Sequence, residues 1–389
     1  STLHEADRGG FIFSPEVGFH ENVHELDFSS LYPNIMITRN VSPDKIGETA
    51  TATEMTSQTL GTDLDEDGFI VDVLEQIIRD RDRYKAAIQS ETDEDRITEL
   101  KGRSSAENGF SYHASDNKDS VTRNAAGSSA TKPSTRKHED TLTTKEILEA
   151  NGWRVIHGIV DSGWVQAIPG ESQQSLEAVA EEITETIGIT LEYEAEYDWI
   201  AFAPRKDSNE GALNRYFGKL SESEKFKKRG IELRQRSTPA FIKDCQTAWL
   251  DTLDRHREPA RVCDQLQIHL TELRSGKIPP EDLLIRRRVS KEREQYTQYT
   301  RSVAALERAE THEFDVSPGE DIRYVVVDDE KQSTARVQLS YESLDRYDAE
   351  FYADLLIRAA ASILAPFGWD QSRIESYLME TTNTVITAY

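Results

Sequence analysis

Cysteine and long apolar runs are both scarce in this sequence. Its two cysteines, Cys245 and Cys263, are too few for a disulfide scaffold and fit a reducing compartment. His256 and His269 lie near them, but no CxxC or HxxxH spacing is present, which argues against a zinc site. There is no run of about 18 apolar residues and no secretory signal. We therefore expect a cytoplasmic protein with no membrane partner.

Basic residues are few relative to acidic ones. The 389 residues include 46 Lys and Arg against 71 Asp and Glu, a formal net charge of -25. Such a charge ordinarily argues against a polyanionic partner. The alternative is a halophilic surface, on which acidic side chains retain water and cations in a salt-rich cytoplasm. Acidic patches at 63–67 and 91–95 lie between periodic segments, as solvated loops do, and favour the halophilic interpretation.

The stretch from Glu25 to Ile35 is the one around which the chain is organised. An apolar run delivers Asp27 into a tight turn, and a helix then begins. An acid at the end of a buried strand can hold a cation, and the N–H groups of such a turn can hold phosphate oxygens. The alternative role for Asp27 is a helix cap.

The segment Asp-Phe-Ser-Ser-Leu-Tyr-Pro-Asn-Ile at 27–35 resembles the first palm motif of family B DNA polymerases. The resemblance implies that Asp27 binds both catalytic metals and that Tyr32 packs under the sugar of the incoming nucleotide. Of the triphosphate contacts in the family's fingers, only Arg103 has a match. The nucleotide-binding residues implied by the resemblance are Phe28, Ser29, Ser30 and Leu31, through their backbone, together with Tyr32 and Arg103.

Residues 153–165 predict a β-hairpin with an acid near its tip. The hairpin resembles the family's third motif, Tyr-Gly-Asp-Thr-Asp-Ser, with His157, Ile159 and Val160 in place of the tyrosine, the first aspartate and the threonine. Asp161 is kept. The resemblance thus implies that Asp27 and Asp161 are the catalytic residues and the ligands of two Mg²⁺ or Mn²⁺ ions. In lacking this carboxylate, the chain resembles the divergent second branch of archaeal family B polymerases. The loss predicts impaired synthesis.

The fingers of such a polymerase are only partly present. Residues 71–88 predict an amphipathic helix with a basic face, which is either solvated or the first fingers helix. The second fingers helix is expected near 97–103. Residues 107–140 are polar and lack helical periodicity, which predicts a disordered or aberrant segment. A pair of compensating frameshifts after Ala106 is our hypothesis for this segment, and the nucleotide sequence tests it.

Clusters of basic residues in the second half of the chain resemble the family's grip on the DNA backbone. Lys and Arg dominate DNA affinity, so a local basic strip outweighs net charge. A solvated charged face is the alternative. Asn214 replaces a family lysine. The DNA-binding residues implied by the resemblance are Arg215, Tyr216, Lys228, Arg234, Arg286, Lys291 and Tyr347.

A chain of 389 residues is expected to form two or three subdomains. The resemblance implies an α+β right-hand polymerase fold with an antiparallel palm sheet, helical fingers and a mostly helical thumb. The expected segments are palm at 1–68, fingers at 69–146, palm at 147–239 and thumb at 240–389.

The resemblance also implies a function and partners. The function is DNA-directed DNA synthesis on primer-template DNA with deoxynucleoside triphosphates, impaired in this chain. The alternative is an inactive DNA-binding or structural subunit of replication or repair. The protein partners that the resemblance allows are a separate N-terminal or exonuclease chain and a sliding clamp.

Overall fold

The computed structural model describes residues 13–38, 69–91, 93, 96, 99–100 and 131–387. These divide into two compact units, the first formed by residues 1–14 and 22–196 and the second by 15–21 and 197–389. Arg103 and residues 101–130 lie outside the described residues, and so does most of the expected second fingers helix. The division into palm, fingers and thumb segments is finer than these two units and stays a prediction.

The first unit combines a small antiparallel sheet with helices. Its strands are ordered β2-β3-β1, with β1 pairing β3 from Val23 to Asp27. Strand β1 begins in the second unit and runs into the first. The elements of the first unit are β1 (Gly18–Phe28), α1 (Leu31–Thr38), α2 (Phe69–Ser90), α3 (Thr131–Ala150), β2 (Trp153–Ile159), β3 (Ser162–Ala167) and α4 (Leu176–Ile187).

Helix α4 shows how local sequence sets the ends of an element. The Ser175 side chain accepts a hydrogen bond from the backbone N–H of Ala178 and caps the start of the helix. Gly188 follows the end with φ +77°, a left-handed conformation that glycine adopts without a Cβ penalty. The helix buries Leu176, Val179, Ala180, Ile183 and Ile187, a one-sided stripe that packs in the core of the first unit.

Helix α3 corrects one prediction. The sequence predicts a disordered segment over 107–140, but residues 131–140 already belong to α3. Backbone hydrogen bonds can continue a helix through polar residues that have no apolar stripe, so a missing periodicity did not exclude a helix here. The helix is anchored at its other end, where Leu148 is buried beside Trp153 in the core.

The second unit contains two antiparallel sheets and the longer helices. One sheet has β4, β5 and β6 as successive neighbours, and the other has the order β7-β8-β9. Strand β4 starts in the first unit. The elements are β4 (Leu191–Pro204), β5 (Gly211–Leu220), β6 (Phe226–Arg229), α5 (Ala240–His256), α6 (Pro259–Arg274), β7 (Ile285–Arg288), α7 (Arg301–Thr311), β8 (Asp321–Val326), β9 (Val337–Leu339), α8 (Ala349–Leu364) and α9 (Gln371–Thr387).

A short break separates α5 from α6. Arg257 adopts φ +56° after α5, and Pro259 starts α6 because its missing N–H is tolerated in a first turn.

The predicted α+β class is confirmed, since helices and antiparallel sheets share the chain. In the part of the chain that the structure describes, no single helix has the length and apolar character to cross a membrane, although the bent pair Ala349–Phe367 and Gln371–Glu380 meets both criteria jointly.

Candidate functional site

The β2–β3 hairpin carries Asp161 at its tip. Ile159 pairs with Ser162, which leaves Val160 and Asp161 as the loop. Val160 adopts φ +58° and is 42% exposed. A left-handed conformation costs a residue with a Cβ about 1–2 kcal/mol, so the surrounding strand pairing must stabilise this tight turn. Asp161 is half-buried, and it lies at the tip of the hairpin, where the sequence predicted an acid.

Pairing between β1 and the hairpin brings Asp27 and Asp161 together. Asp27 lies opposite Ser162 in the register, and the Ser162 hydroxyl donates a hydrogen bond of 2.7 Å to Asp27 Oδ1. One residue further, the backbone N–H of Phe28 donates to the Asp161 carbonyl oxygen at 2.9 Å. The two predicted catalytic aspartates are therefore on neighbouring segments of one unit, 134 positions apart in sequence.

The donor set at this point fits a hard divalent cation. Asp27 and Asp161 supply carboxylate oxygens, the ligands that Mg²⁺ prefers, and Mg²⁺ is commonly held by one or two carboxylates with water and substrate phosphates completing its shell. Ile159, half-buried beside the turn, supplies no ligand. Over the described residues, no group of three or more His, Cys, Asp or Glu is arranged to hold a metal.

A strap from the N-terminal side supports the hairpin. Phe13 exchanges two backbone hydrogen bonds of 3.1 Å with Gly158, and the His157 ring Nδ1 lies 2.9 Å from the Phe13 carbonyl oxygen. A Cβ at Gly158 would lie 2.8 Å from the Phe13 ring, so this position needs glycine. His157 is fully buried and stacks on Trp164 with ring centroids 4.8 Å apart. These contacts fix β2 immediately before Asp161.

In the turn after Asp27, two of the four backbone N–H groups predicted to bind phosphate are already hydrogen-bonded within the protein. The Phe28 N–H is bonded to Asp161, and the Ser29 N–H donates to the Thr190 carbonyl oxygen at 2.9 Å. These two N–H groups are occupied, so the prediction narrows to those of Ser30 and Leu31 at the start of α1. Asn34 Nδ2 donates to the Ser29 carbonyl oxygen at 2.5 Å and closes the turn.

The side chains of the motif divide between core and surface. Phe28 and Leu31 are buried in the core of the first unit, so only their backbone is available to a ligand. Ser30 is half-buried and adopts φ +47°. The Tyr32 side chain and Arg103 lie outside what the structure describes, and their predicted roles stay predictions.

Arg81 is a site residue that the sequence reasoning did not single out. Its guanidinium Nη1 donates to the Ser30 hydroxyl, which brings the basic face of α2 onto the turn. The sequence shows the basic face of this helix in Arg79, Arg81, Arg83 and Lys85. A helical pattern alone does not indicate which of these side chains contacts the turn.

The second unit contains a cavity of about 1330 Å³ bordered by strands and by the helices that follow them. Basic side chains in its lining outnumber acidic ones. The basic members are Arg205, Lys206, Arg215, Arg287, Arg288, Arg301 and Arg358, and the acidic members are Asp207, Glu232 and Asp370. This is a local excess of positive charge in an acidic chain.

Of the predicted DNA-binding residues, Arg215 lines this cavity, whereas Tyr216 does not reach a surface. Tyr216 is only 3% exposed and packs against Phe202 with ring centroids 5.9 Å apart. The prediction for Tyr216 as a contact is therefore wrong in this structure, because neighbours along β5 alternate between the two faces of the sheet and Tyr216 faces the core. Tyr347 is half-buried, and its hydroxyl donates to the Leu273 carbonyl oxygen at 2.6 Å.

The remaining predicted contacts are on the surface or near it. Arg286 is exposed but paired with Asp321, to which its Nε donates at 2.8 Å, and its neighbours Arg287 and Arg288 line the cavity instead. Lys291 and Arg234 are exposed. Lys228 is half-buried on β6, and its pKa is lowered, first by burial and then by the charge of Arg234.

This chain is similar in sequence and in fold to known proteins. A sequence profile described as DNA polymerase family B matches residues 2–106 and 128–367. The DNA polymerases of Desulfurococcus sp. (strain Tok) and of Thermococcus gorgonarius are each 26% identical over 383 residues, which is 94% of this chain and 48% of the relative. The chain thus spans about half the length of the curated relatives it matches.

Among solved structures, the family B DNA polymerase from the hyperthermophilic archaeon Pyrobaculum calidifontis has a similar fold. The TM-score is 0.62 with 21% sequence identity, over 91% of this chain and 46% of that chain. The interruption of the profile match at 107–127 falls within the segment that the sequence marks as aberrant. With the match covering most of the sequence, the predicted family is confirmed: the chain belongs to DNA polymerase family B.

Proposed function

We propose that this chain binds primer-template DNA and a deoxynucleoside triphosphate and extends the primer weakly, with Asp27 and Asp161 as its catalytic carboxylates. The observation that carries the proposal is the pairing of β1 with the hairpin, in which Ser162 bonds to Asp27 and Phe28 bonds to Asp161. Two carboxylates that are distant in sequence meet at one end of β1, beside a turn and a helix start.

The family uses divalent metals, and the two carboxylates fit Mg²⁺ or Mn²⁺. Such a cation neutralises charge on the transferring phosphoryl group when it is bound. Asp27 and Asp161 would hold it, and the Ser162 hydroxyl keeps the Asp27 carboxylate in one orientation. The N–H groups of Ser30 and Leu31, at the positive end of the α1 dipole, bind triphosphate oxygens. Arg81, already in contact with Ser30, adds positive charge beside them.

The cavity of the second unit holds the backbone of the duplex in this proposal. Arg287, Arg288 and Arg358 in its lining neutralise phosphates, which supplies affinity without base specificity. A separate N-terminal or exonuclease chain and a sliding clamp remain proposed partners, and a halophilic surface remains our explanation for the net charge.

The second candidate is a DNA-binding subunit that has lost the chemistry, and Ile159 favours it. This apolar residue stands in the hairpin where the resemblance places a carboxylate, so the site has two negative charges for the proposed cations. Binding of the duplex needs only the cavity of the second unit and is independent of that loss.

Primer extension tests both candidates. The full chain is assayed at several KCl concentrations with Mg²⁺ or Mn²⁺, beside Asp27→Ala, Asp161→Ala and Asp198→Ala, an acidic control outside the hairpin. Extension that disappears in the first two variants and persists in the control supports a polymerase. Duplex binding without extension in the unmodified chain supports the inactive subunit, and neither binding nor extension overturns both.

A further inference from the structure

Arg215 is held by polar contacts on two sides. This residue of β5 donates from Nη1 to the Pro204 carbonyl oxygen and from Nη2 to the Ser362 hydroxyl oxygen, both at 3.2 Å. Arg215, Glu232 and Ser362 all line the cavity of the second unit. The guanidinium has five N–H donors in a planar fork, so two contacts define its plane and leave others for a ligand.

The Ser362 hydroxyl is oriented so that it accepts a hydrogen bond from Arg215. It lies on α8, is 6% exposed, and donates from Oγ to Glu232 Oε1 at 2.9 Å. A hydroxyl has one donor and two acceptor sites, so donation to Glu232 leaves its lone pairs directed to Arg215. The negative charge of Glu232 thus acts on Arg215 through the hydroxyl and does not occupy the guanidinium directly.

Gln246 fixes Glu232 in turn. This fully buried residue of α5 donates from Nε2 to Glu232 Oε2 and to the Ala359 carbonyl oxygen, each at 2.9 Å, and its Oε1 accepts the Leu233 N–H at 2.7 Å. The amide cannot flip without losing these partners. Both carboxylate oxygens of Glu232 thus accept hydrogen bonds, Oε1 from Ser362 and Oε2 from Gln246, which fixes the plane of the carboxylate.

The backbone at Gly230 allows Arg215 to lie in this position. Gly230 has φ +67°, and a Cβ there would clash with the Asn214 carbonyl oxygen and lie 2.8 Å from Arg215 Cγ. Glycine therefore permits the chain after β6 to pass close to Arg215 and to place Glu232 two residues later. Arg215, Ser362, Glu232 and Gln246 thus form one chain of hydrogen bonds, the relay, that joins β5, α8 and α5.

We infer that Ser362, Glu232 and Gln246 are positioning residues that orient the Arg215 guanidinium toward one backbone phosphate of a bound duplex. A direct ion pair with Glu232 would occupy the fork of Arg215, whereas the relay holds the side chain and leaves its fork for a phosphate. Seven of the ten charged residues in the cavity lining are basic, which matches a phosphate and not a cationic ligand. This inference rests on the proposed DNA binding.

A double-mutant cycle tests the relay. The dissociation constant of a fluorescent primer-template duplex is measured by anisotropy over a KCl series for the unmodified chain, Arg215→Ala, Ser362→Ala and the double variant. We expect Arg215→Ala to lower affinity about 10-fold and to reduce the salt slope by about 0.9, one phosphate contact. Ser362→Ala should lower affinity about 3-fold to 10-fold, and it should add nothing in the Arg215→Ala background.

Further variants separate positioning from folding. Ser362→Thr keeps the hydroxyl and should restore the affinity and the salt slope, whereas Ser362→Cys keeps the volume with a weak donor and should behave as Ser362→Ala. Ser376→Ala is the control, because that hydroxyl donates to the Ser372 carbonyl oxygen within α9 and lies outside the relay. Thermal melting confirms that each variant is folded.

The outcomes distinguish this inference from the function on which it rests. Equal losses for Ser362→Ala in both Arg215 backgrounds, or an unchanged salt slope in Arg215→Ala, overturn the relay while DNA binding stands. Absence of duplex binding by the unmodified chain at every salt concentration overturns the proposed function and the relay together.

Discussion

Ser162 donates a hydrogen bond from its hydroxyl to Asp27 Oδ1 at 2.7 Å, and the two residues face each other across β1 and β3. The bond joins the end of the first motif to the hairpin that carries Asp161. A serine beside a carboxylate ligand limits the rotation of that ligand, as outer partners do at many metal sites.

Replacing Ser162 with alanine should weaken metal binding more than folding. We expect Ser162→Ala to cost about 1 kcal/mol of unfolding free energy, the net value of one hydrogen bond. The rise in melting temperature on addition of Mg²⁺ or Mn²⁺ should be reduced, because Asp27 is no longer fixed. The control is Ser90→Ala, because the Ser90 hydroxyl donates to the carbonyl oxygens of Ala86 and Ala87 within α2. An unchanged metal response in Ser162→Ala would contradict the role given to this hydroxyl.

Restoring a carboxylate in the hairpin should restore synthesis. Ile159 pairs with Ser162, which in turn faces Asp27, so an aspartate at position 159 adds charge next to both proposed ligands. We expect Ile159→Asp to raise the primer-extension rate at least about 10-fold at equal Mg²⁺, and to lower stability without metal because like charges meet.

Met379→Asp is the matched control for that variant. It adds the same charge at an exposed position of α9, outside the hairpin, so the rate should not change. If Ile159→Asp extends primers no faster than the unmodified chain, the missing carboxylate is not what limits synthesis.

The sequence predicted the hairpin, the position of Asp161 and the strand leading to Asp27 because those features depend on local patterns. Apolar runs define the strands, and the Asp-Ser pair between them marks the turn. Sequence spacing could not show that the Phe28 and Ser29 N–H groups are occupied, because their partners, Asp161 and Thr190, are more than a hundred residues away.

The basic residues show the same limit. The resemblance implied seven DNA contacts between Arg215 and Tyr347, five of them basic, but which side chain faces the cavity is decided by strand direction and pairing. Tyr216 faces the core, Arg286 is paired with Asp321, and Arg287 lines the cavity. The first half of helix α3 was not predicted for a related reason. It has no apolar stripe, and a search for apolar periodicity does not detect backbone hydrogen bonds.

The two adjacent arginines of β7 should differ in DNA binding. Arg287 lines the cavity, whereas Arg286 is held by Asp321, whose pKa is lowered mainly by its hydrogen bond to Arg286. We expect Arg287→Ala to weaken duplex binding and to reduce the salt slope by about 0.9. Arg286→Ala should leave the slope unchanged. Equal slopes for the two variants would show that the cavity lining does not select the phosphate contacts.

Asp329 should matter far more for stability than its neighbour Asp328. Asp329 accepts two hydrogen bonds of 2.6 Å from Arg301 and bonds of 3.0 and 2.7 Å from Arg336, which is 9% exposed. Asp329→Asn leaves Arg336 buried with a weaker partner and should cost about 3 kcal/mol. Asp328 pairs with Lys331 at 3.5 Å on the surface, so Asp328→Asn should cost less than about 0.5 kcal/mol.

The cost of Asp329→Asn should depend on pH with a definite sign. Hydrogen bonds from Arg301, followed by those from Arg336, lower the pKa of Asp329 in the folded chain. The stabilisation is therefore complete above the unfolded pKa of about 3.9 and is lost as the pH falls below it toward the folded pKa. Urea unfolding at pH 7 and near pH 3 should show the difference between the unmodified chain and Asp329→Asn shrinking on acidification. A difference that stays constant would mean that the carboxylate charge contributes nothing and that the variant acts through packing alone.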